Sequence, residues 1–203
     1  MEEYSVLLSM NYDDCCMYLI DKYGMATDDY FSKKSYERFK NGEIKSPTKK
    51  KITRTNEGLY LHHIDEDKQI LIANPNAILK FDIPFAYQEK ERLVYCDLIE
   101  HAILHVLIAV KDVEEGTRGD DFQAHGIGGY VNFIRPQLVQ WLIKGVEPKL
   151  AWQQNCRNAV MMPVNDAEKL INYMDEFLVE RYPISQEEIE ECTADWFEIN
   201  SKG

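Results

Sequence analysis

The spacing of apolar residues predicts helices near both ends of the chain. Gly24 is placed to end the first helix, and Thr27 is placed to cap the second. A capping box, in which the first residue and a Glu three positions later bond each other's backbone, is predicted at Asn165 and at Ser185. The predicted helices outside the central region cover residues 13–22, 28–40, 136–144, 148–158 and 167–181, with a last acidic helix after Ser185.

The central region carries a different pattern. Residues 58–64 (GLYLHHI) and 69–73 (QILIA) are strand-like, and the polar residues 65–68 between them predict a turn that joins the two into a β-hairpin. A less regular stretch follows, and then an apolar helix over about 94–111. The polar, glycine-rich residues 112–129 predict a loop. Two strands followed by a helix form a ββα arrangement.

Length and composition fit a folded α+β protein. The 203 residues are 45% hydrophobic and suffice for one good-sized domain with appendages. We predict three parts: N-terminal helices with a basic arm in residues 1–55, a ββα core in 56–111, and a mainly helical acidic region in 112–203. No apolar run reaches the length of a membrane helix, and the acidic start Met-Glu-Glu-Tyr lacks the charge pattern of a signal peptide.

The cysteines indicate the compartment. There are five, an odd number, and none belongs to a CxxC motif. This usage is typical of reduced thiols rather than of a disulfide framework, so a cytoplasmic location is expected.

Charge is distributed unevenly. The chain carries a net −12, which argues against a protein that simply coats nucleic acid. The segment from Lys33 to Arg54 nevertheless holds nine basic residues against Glu37 and Glu43, a local balance of +7. Its second half, 42–53, is predicted as an exposed loop. A basic arm on an acidic body is compatible with local contact to DNA or RNA, and equally with a solvated linker.

The histidines are concentrated in the centre. His62 and His63 are adjacent in the first predicted strand, and His101 and His105 lie four apart in the apolar helix, so both point the same way. Buried imidazoles need partners, and a divalent metal ion satisfies them. Hydrogen bonding in the core and a structural zinc site are the alternatives. The fifth, His125, lies in the predicted loop, where a lone histidine is expected to be exposed and inert.

These residues resemble the HNH, or His-Me finger, nucleases, in which a ββα-metal hairpin and helix cleaves phosphodiesters with one divalent ion. The matching pieces are His62-His63-Ile64, Leu93-Val94-Tyr95 and Glu100-His101 with His105. The wider pattern is similar to phage or mobile-element proteins of Gram-positive bacteria. The resemblance implies that His62, His101 and His105 bind the metal (Mg²⁺, Mn²⁺, Ni²⁺ or Zn²⁺) and that His63 is the general base.

One position departs from that family. An asparagine that steadies the loop carrying the base usually stands nine residues before the first helix histidine, and here the position is Arg92. Three explanations stay open. Asn74 or Asn76 takes the role of this asparagine from another place in the chain, or Arg92 binds a phosphate with two hydrogen bonds. In the third, the site is inactive. Arg92 is therefore a candidate catalytic residue together with His63.

Two functions follow as expectations. The first is a metal-dependent endonuclease acting on nucleic acid. The second is a non-catalytic acidic interaction protein from a mobile element, which mimics DNA or inhibits a host defence nuclease and keeps the finger only as a scaffold. A membrane partner is not expected.

Overall fold

The computed structural model describes residues 2–116 and 125–201, a mainly helical chain with one small sheet, which confirms the predicted α+β class. Strands β1 (Tyr60–His63) and β2 (Leu93–Cys96) pair antiparallel, with His62 opposite Val94 and His63 opposite Leu93. The α-helices are α1 Glu2–Leu8, α2 Tyr12–Tyr23, α3 Lys33–Lys40, α4 Pro75–Lys80, α5 Leu98–Glu114, α6 Ile127–Gly129, α7 Arg135–Leu138, α8 Ala151–Ala159, α9 Val164–Arg181 and α10 Gln186–Asn200.

The partner of the first strand differs from the prediction. Residues 69–73 form no strand, because the apolar run is broken at Leu71, whose φ of 57° is incompatible with extended backbone. The predicted turn at 65–68 is largely a short 3-10 helix, Ile64–Asp67. Strand β1 pairs instead with β2, in which all four residues are buried. The chain between the strands is therefore a long insertion, 64–92, and not a tight turn.

Helix α5 is the centre of the molecule. It begins directly after β2, because Asp97 caps it and Glu100 completes a capping box. It is buried on nearly every side, as expected of a helix that is apolar all round. Helices α1, α2 and α9 and both strands pack against it. Within residues 2–116 and 125–201, no helix combines the length and apolar character needed to cross a membrane.

Three hydrophobic clusters organise the packing of the described residues, and the third consists of Ala26, Ile52, Leu59, Leu93 and Tyr95. The main one contains α5 and draws side chains from the N-terminal helices, the strands and the C-terminal helices, and thus from all three predicted parts. A smaller one fills the insertion, where Ile72, Ile78 and Ile83 pack against Phe31 and Tyr36. The division into three domains stays a prediction.

The basic arm is tied to this smaller cluster. Phe31 and Lys49 form an isolated antiparallel bridge, and the Lys50 backbone N–H donates to the Tyr30 carbonyl at 2.9 Å. Residues 42–50 otherwise run as turns and bends, in agreement with the predicted loop.

Several helix ends differ from the prediction. Helix α3 begins at Lys33 after Ser32, not at 28, because residues 28–31 run in bends and the isolated bridge. Helix α9 begins at Val164, so Asn165 lies inside it and forms no capping box. The capping box at Ser185 is confirmed, with Glu188 as its partner.

The predicted loop 112–129 is shorter than expected. Helix α5 continues to Glu114, and a helical stretch starts at Ile127 and runs through two π-helical turns, Tyr130–Ile134 and Val139–Ile143. Residues 117–124 lie outside the described part of the chain. Helix α1 is an element that the apolar spacing did not predict.

A buried ion pair joins the C-terminal helices. Arg135 of α7 donates from Nε and Nη2 to the carboxylate of Asp175 in α9, at 2.7–2.9 Å, and Tyr130 donates to the same carboxylate at 2.7 Å. Arg135 also donates from Nη1 to Thr193 of α10. Both partners of the ion pair are buried.

We expect Asp175→Ala to destabilise the fold by about 3–5 kcal/mol, because it leaves the Arg135 charge buried without its counter-ion. Glu176→Ala is the matched control, since that neighbouring carboxylate is exposed and should change the free energy of unfolding by less than about 0.5 kcal/mol. Urea unfolding of both variants measures the difference. Equal stabilities would contradict a structural role for the pair.

Candidate metal centre

Three of the predicted ligands meet at one point. His62 comes from β1, and His101 and His105 come from successive turns of α5. One ring nitrogen of each lies within 4.8 Å of the others. The ring centroids of His62 are 5.3 Å from His101 and 5.5 Å from His105, and those two are 4.9 Å apart. The three side chains form a buried cluster that could bind a metal ion.

The hydrogen bonds of His62 fix which nitrogen faces the cluster. The Tyr12 hydroxyl donates its proton to the Ile64 carbonyl at 2.8 Å and lies 2.9 Å from His62 Nε2. Because that proton is already used, we assign the proton to His62 Nε2, which donates to the hydroxyl. Nδ1 of His62 then carries the lone pair. This atom is buried and has no hydrogen-bond partner among the described residues.

His105 is oriented in the same way by a backbone group. Its Nδ1 lies 3.1 Å from the carbonyl oxygen of Gly126, so this nitrogen is the donor and Nε2 carries the lone pair. Metal-binding histidines usually donate their second nitrogen to such an oxygen, which fixes the ring. Gly129 makes this approach possible, because a Cβ there would lie 2.4 Å from the His105 ring. Gly126 and Gly129 are therefore packed against α5.

His125 anchors the Gly-rich segment, contrary to the expectation that it is exposed. Only 12% of its side chain is accessible, and its Nδ1 lies 3.1 Å from Oδ1 of Asp112 in α5. Its backbone N–H donates to the same carboxylate at 2.9 Å. No sequence pattern indicates this contact, because the polar composition of 112–129 predicts a loop, whereas Asp112 lies in α5.

His101 is the partly exposed member of the cluster. Its ring stacks on Tyr60, with centroids 5.7 Å apart and planes at 25°. Tyr60 in turn meets Trp152 of α8 edge-on at 6.4 Å. Trp152 is 41% exposed. The side chains of Tyr60 and Trp152 therefore connect the histidine cluster to the protein surface.

Burial sets the protonation of these rings. Desolvation lowers the pKa of His62 and of His101 well below the ordinary value, and the neighbouring imidazoles lower both further. The pKa of His105 falls to about 4 for the same reason. All three are neutral at neutral pH, and neutral imidazole is the form that binds metal.

Glu66 is the residue that sequence reasoning missed. Its Oε2 lies 3.7 Å from His62 Nδ1 and 3.5 Å from His105 Nε2, and its Oε1 lies 3.8 Å from His63 Nδ1. It stands in the 3-10 helix directly after β1, a segment predicted as a polar turn. Burial raises the pKa of this carboxyl to about 7. An acidic turn directly after His-His was the available signal.

His63 points to the other side of the strand. Its ring packs on Tyr30 at 4.6 Å, and its Nε2 lies 3.3 Å from the Gln88 side-chain oxygen. The Gln88 amide nitrogen donates to the Ile72 carbonyl at 3.0 Å, which fixes the oxygen toward His63. His63 Nδ1 therefore carries the lone pair. Burial lowers the pKa of His63 to about 4.

Arg92 is held by an acidic side chain. Its Nε and Nη2 donate to the two oxygens of Asp65, both at 2.6 Å, and Lys68 donates to Asp65 at 2.8 Å. Asn74 caps α4 by accepting from the backbone N–H groups of Asn76 and Ala77. The contact of Arg92 with phosphate stays a prediction.

The donor set fits a divalent ion of the zinc or late transition-metal kind. Metal–nitrogen bonds of about 2.0–2.1 Å place tetrahedral nitrogens about 3.4 Å apart, so binding would draw the rings together by roughly 1 Å. The buried, unpartnered nitrogen of His62 is the direct sign of a missing partner. Cys96 is fully buried and is not a member of the ligand group found among residues 2–116 and 125–201.

We expect Gly129→Ala to weaken Zn²⁺ binding about 10–100-fold, because the new methyl group displaces the His105 ring from its position. Gly128→Ala is the matched control, since its Cβ would meet its nearest neighbour at an ordinary 3.8 Å. Isothermal titration of both variants measures the affinities. Equal affinities would contradict the role of this close approach.

His63 should also shape the acid stability of the metal-free protein. Its folded pKa of about 4 lies below the ordinary 6.5, so the unfolded chain takes up the proton first and stability is lost as the pH falls through this window. His63→Gln removes the imidazole that takes up this proton. The slope of unfolding free energy against pH should become shallower by up to about 1.4 kcal/mol per pH unit, measured by urea unfolding; an unchanged slope would contradict it.

Comparison of the chain with models of known protein families, with curated protein sequences and with solved structures finds no match. The site is identified by its own geometry: three imidazoles from β1 and α5, each with a ring nitrogen within 4.8 Å of the others, form a candidate metal centre.

Proposed function

We propose that the protein is a metal-dependent endonuclease of the HNH type that hydrolyses phosphodiester bonds in nucleic acid. The observation that carries the proposal is the convergence of His62, His101 and His105 from a strand and a helix in the order β1, β2, α5. A strand–strand–helix order is the one expected of a ββα-metal site, and it supports the proposal. A divalent ion held there would neutralise the scissile phosphate and the departing oxygen.

His63 is the general base in this proposal. It is neutral at neutral pH, and Gln88 holds its Nε2–H so that the Nδ1 lone pair is available to accept a proton from water. His62 and His63 contact different neighbours, Tyr12 and Tyr30 respectively, as adjacent strand residues do. The pair can therefore divide ligand and base roles.

Arg92 steadies the loop that follows the base. In the family pattern an asparagine at this position does so, and here the bidentate Arg92–Asp65 pair ties β2 to the 3-10 helix after β1. The Arg92–Asp65 ion pair therefore holds this loop in place of the asparagine of the family pattern.

The basic segment supports nucleic acid as the substrate. Lys49 donates to the Tyr30 hydroxyl at 2.8 Å, and the Tyr30 ring packs on His63, so positive charge borders the base. Lys34, Lys45 and Lys51 of the same segment are exposed. Lysines placed there can contact phosphates on the His63 side of the strand.

The second function rests on the acidic character of the chain, which includes the Glu66 carboxylate beside the histidines. In this alternative the metal site is a scaffold, and the acidic body, with a net −12, binds a basic groove of another protein. An inhibitor of this kind needs no general base.

The test is nicking of supercoiled plasmid by protein stripped with chelator and reloaded with Mg²⁺, Mn²⁺, Ni²⁺ or Zn²⁺. We expect His63→Ala to keep the metal and lose at least about 100-fold in rate, since a general base contributes about that much. His101→Ala should lose both metal and nicking, and it serves as the control for contaminating nuclease. Full activity of His63→Ala, or no nicking by any loaded wild-type protein, would contradict the proposal.

A further inference from the structure

Glu66 is a carboxylate that lies beside the histidine cluster but is not part of the predicted ligand set. Its Oε2 lies within 3.7 Å of ring nitrogens on both β1 and α5. The side chain is 26% accessible, so it covers the cluster from the solvent side. The resemblance to HNH nucleases assigns it no role.

The neighbours of Glu66 are occupied elsewhere. Asp65 bonds Arg92 and Lys68, and Asp67 bonds Lys111 at 2.8 Å. The residues on both sides of Glu66 in the 3-10 helix are thus held by ion pairs with Arg and Lys side chains. Among the described residues, the charge partners of Glu66 are His62, His63 and His105, and each can pair with it electrostatically only when protonated.

The nitrogens that face Glu66 cannot donate. The donor positions of His62, His63 and His105 are used by Tyr12, Gln88 and Gly126, which leaves a lone pair on each nitrogen turned toward the carboxylate. Lone pairs and carboxylate oxygens repel one another at these distances. A cation placed between them converts the repulsion into coordination.

We infer that Glu66 is the fourth protein ligand of the ion held by His62, His101 and His105, binding through Oε2. This inference rests on the metal centre of the proposed function. Oxygen and nitrogen ligands of a tetrahedral ion are about 3.4 Å apart, and Oε2 already stands 3.5 Å and 3.7 Å from two of the nitrogens. Among the described residues, the group whose ligand atoms all lie within 4.8 Å of one another contains only the three histidines, so coordination by Glu66 requires its side chain to rotate toward them.

The inference names the class of ion. Three imidazoles and one carboxylate suit Zn²⁺, Co²⁺, Ni²⁺ or Mn²⁺ better than Mg²⁺, which prefers oxygen ligands and keeps its waters. These four ligands fill every coordination position of a four-coordinate ion, whereas a six-coordinate ion keeps two positions open. Glu66 therefore determines which bound ions leave room for a substrate.

The experiment is a titration of the metal-free full-length chain with Co²⁺, followed by visible absorption and calorimetry. Glu66→Gln is expected to bind at least about tenfold more weakly than wild type and to change the Co²⁺ spectrum, because one anionic ligand is lost. Glu115→Gln is the matched control, since it makes the same charge change at an exposed position of the same chain. It should bind as wild type does.

A second readout separates coordination from a structural role. Without metal, Glu66→Gln should melt at or above the temperature of wild type, because the amide NH2 group can donate to the lone pairs that face it. Metal binding and metal-free stability then change in opposite directions. Glu66→Asp, which keeps the charge on a shorter side chain, should bind Co²⁺ more weakly than wild type and more tightly than Glu66→Gln.

Each outcome decides a different claim. If wild type and all Glu66 variants bind Co²⁺ with one affinity and one spectrum, the fourth ligand is excluded while the metal centre stands. If Glu66→Gln is unfolded without metal, the carboxylate is a structural group and the inference is overturned. If wild type binds no Co²⁺, the metal centre itself fails, and with it the proposed function.

Discussion

The burial of several neutral imidazoles between β1 and α5 is the constraint on which the rest of this structure depends. Each ring loses water and must place its one N–H and its one lone pair. The fold supplies acceptors for the N–H groups of His62, His63 and His105: the Tyr12 hydroxyl, the Gln88 amide and the Gly126 carbonyl. It supplies no donor for the His62 lone pair within the described residues. This asymmetry is what makes the cluster a candidate metal centre.

These three acceptors come from distant parts of the chain. They give a common role, the orientation of the histidine rings, to segments that are otherwise unrelated. Helix α2 contributes Tyr12, and the insertion between the strands contributes Gln88 on a small hydrophobic cluster of its own. The Gly-rich segment after α5 contributes the carbonyl of Gly126 and is itself tied down by His125. The long insertion and the glycines are therefore supports for ring orientation and not merely connections.

The histidine spacing predicted that His101 and His105 share a helix face, whereas the choice of His62 rather than His63 as their companion came from the resemblance to HNH nucleases. The spacing did not predict the strand pairing. Residues 69–73 have the composition of a strand, but only the fold shows that Leu71 takes a positive φ and that Leu93–Cys96 lies beside β1. Glu66 and Gln88 were missed for the same reason: their roles depend on tertiary contacts, which polar residues in a turn do not reveal.

The pairing of His62 with Val94 across the insertion has a consequence for assembly of the protein. Ligands that are nearly forty positions apart cannot approach until the intervening chain has been closed, and that closure carries an entropic cost with no local reward. A partly synthesised chain that ends before α5 contains only His62 of the three clustered histidines. The cluster therefore forms only when the central helix has docked against the sheet.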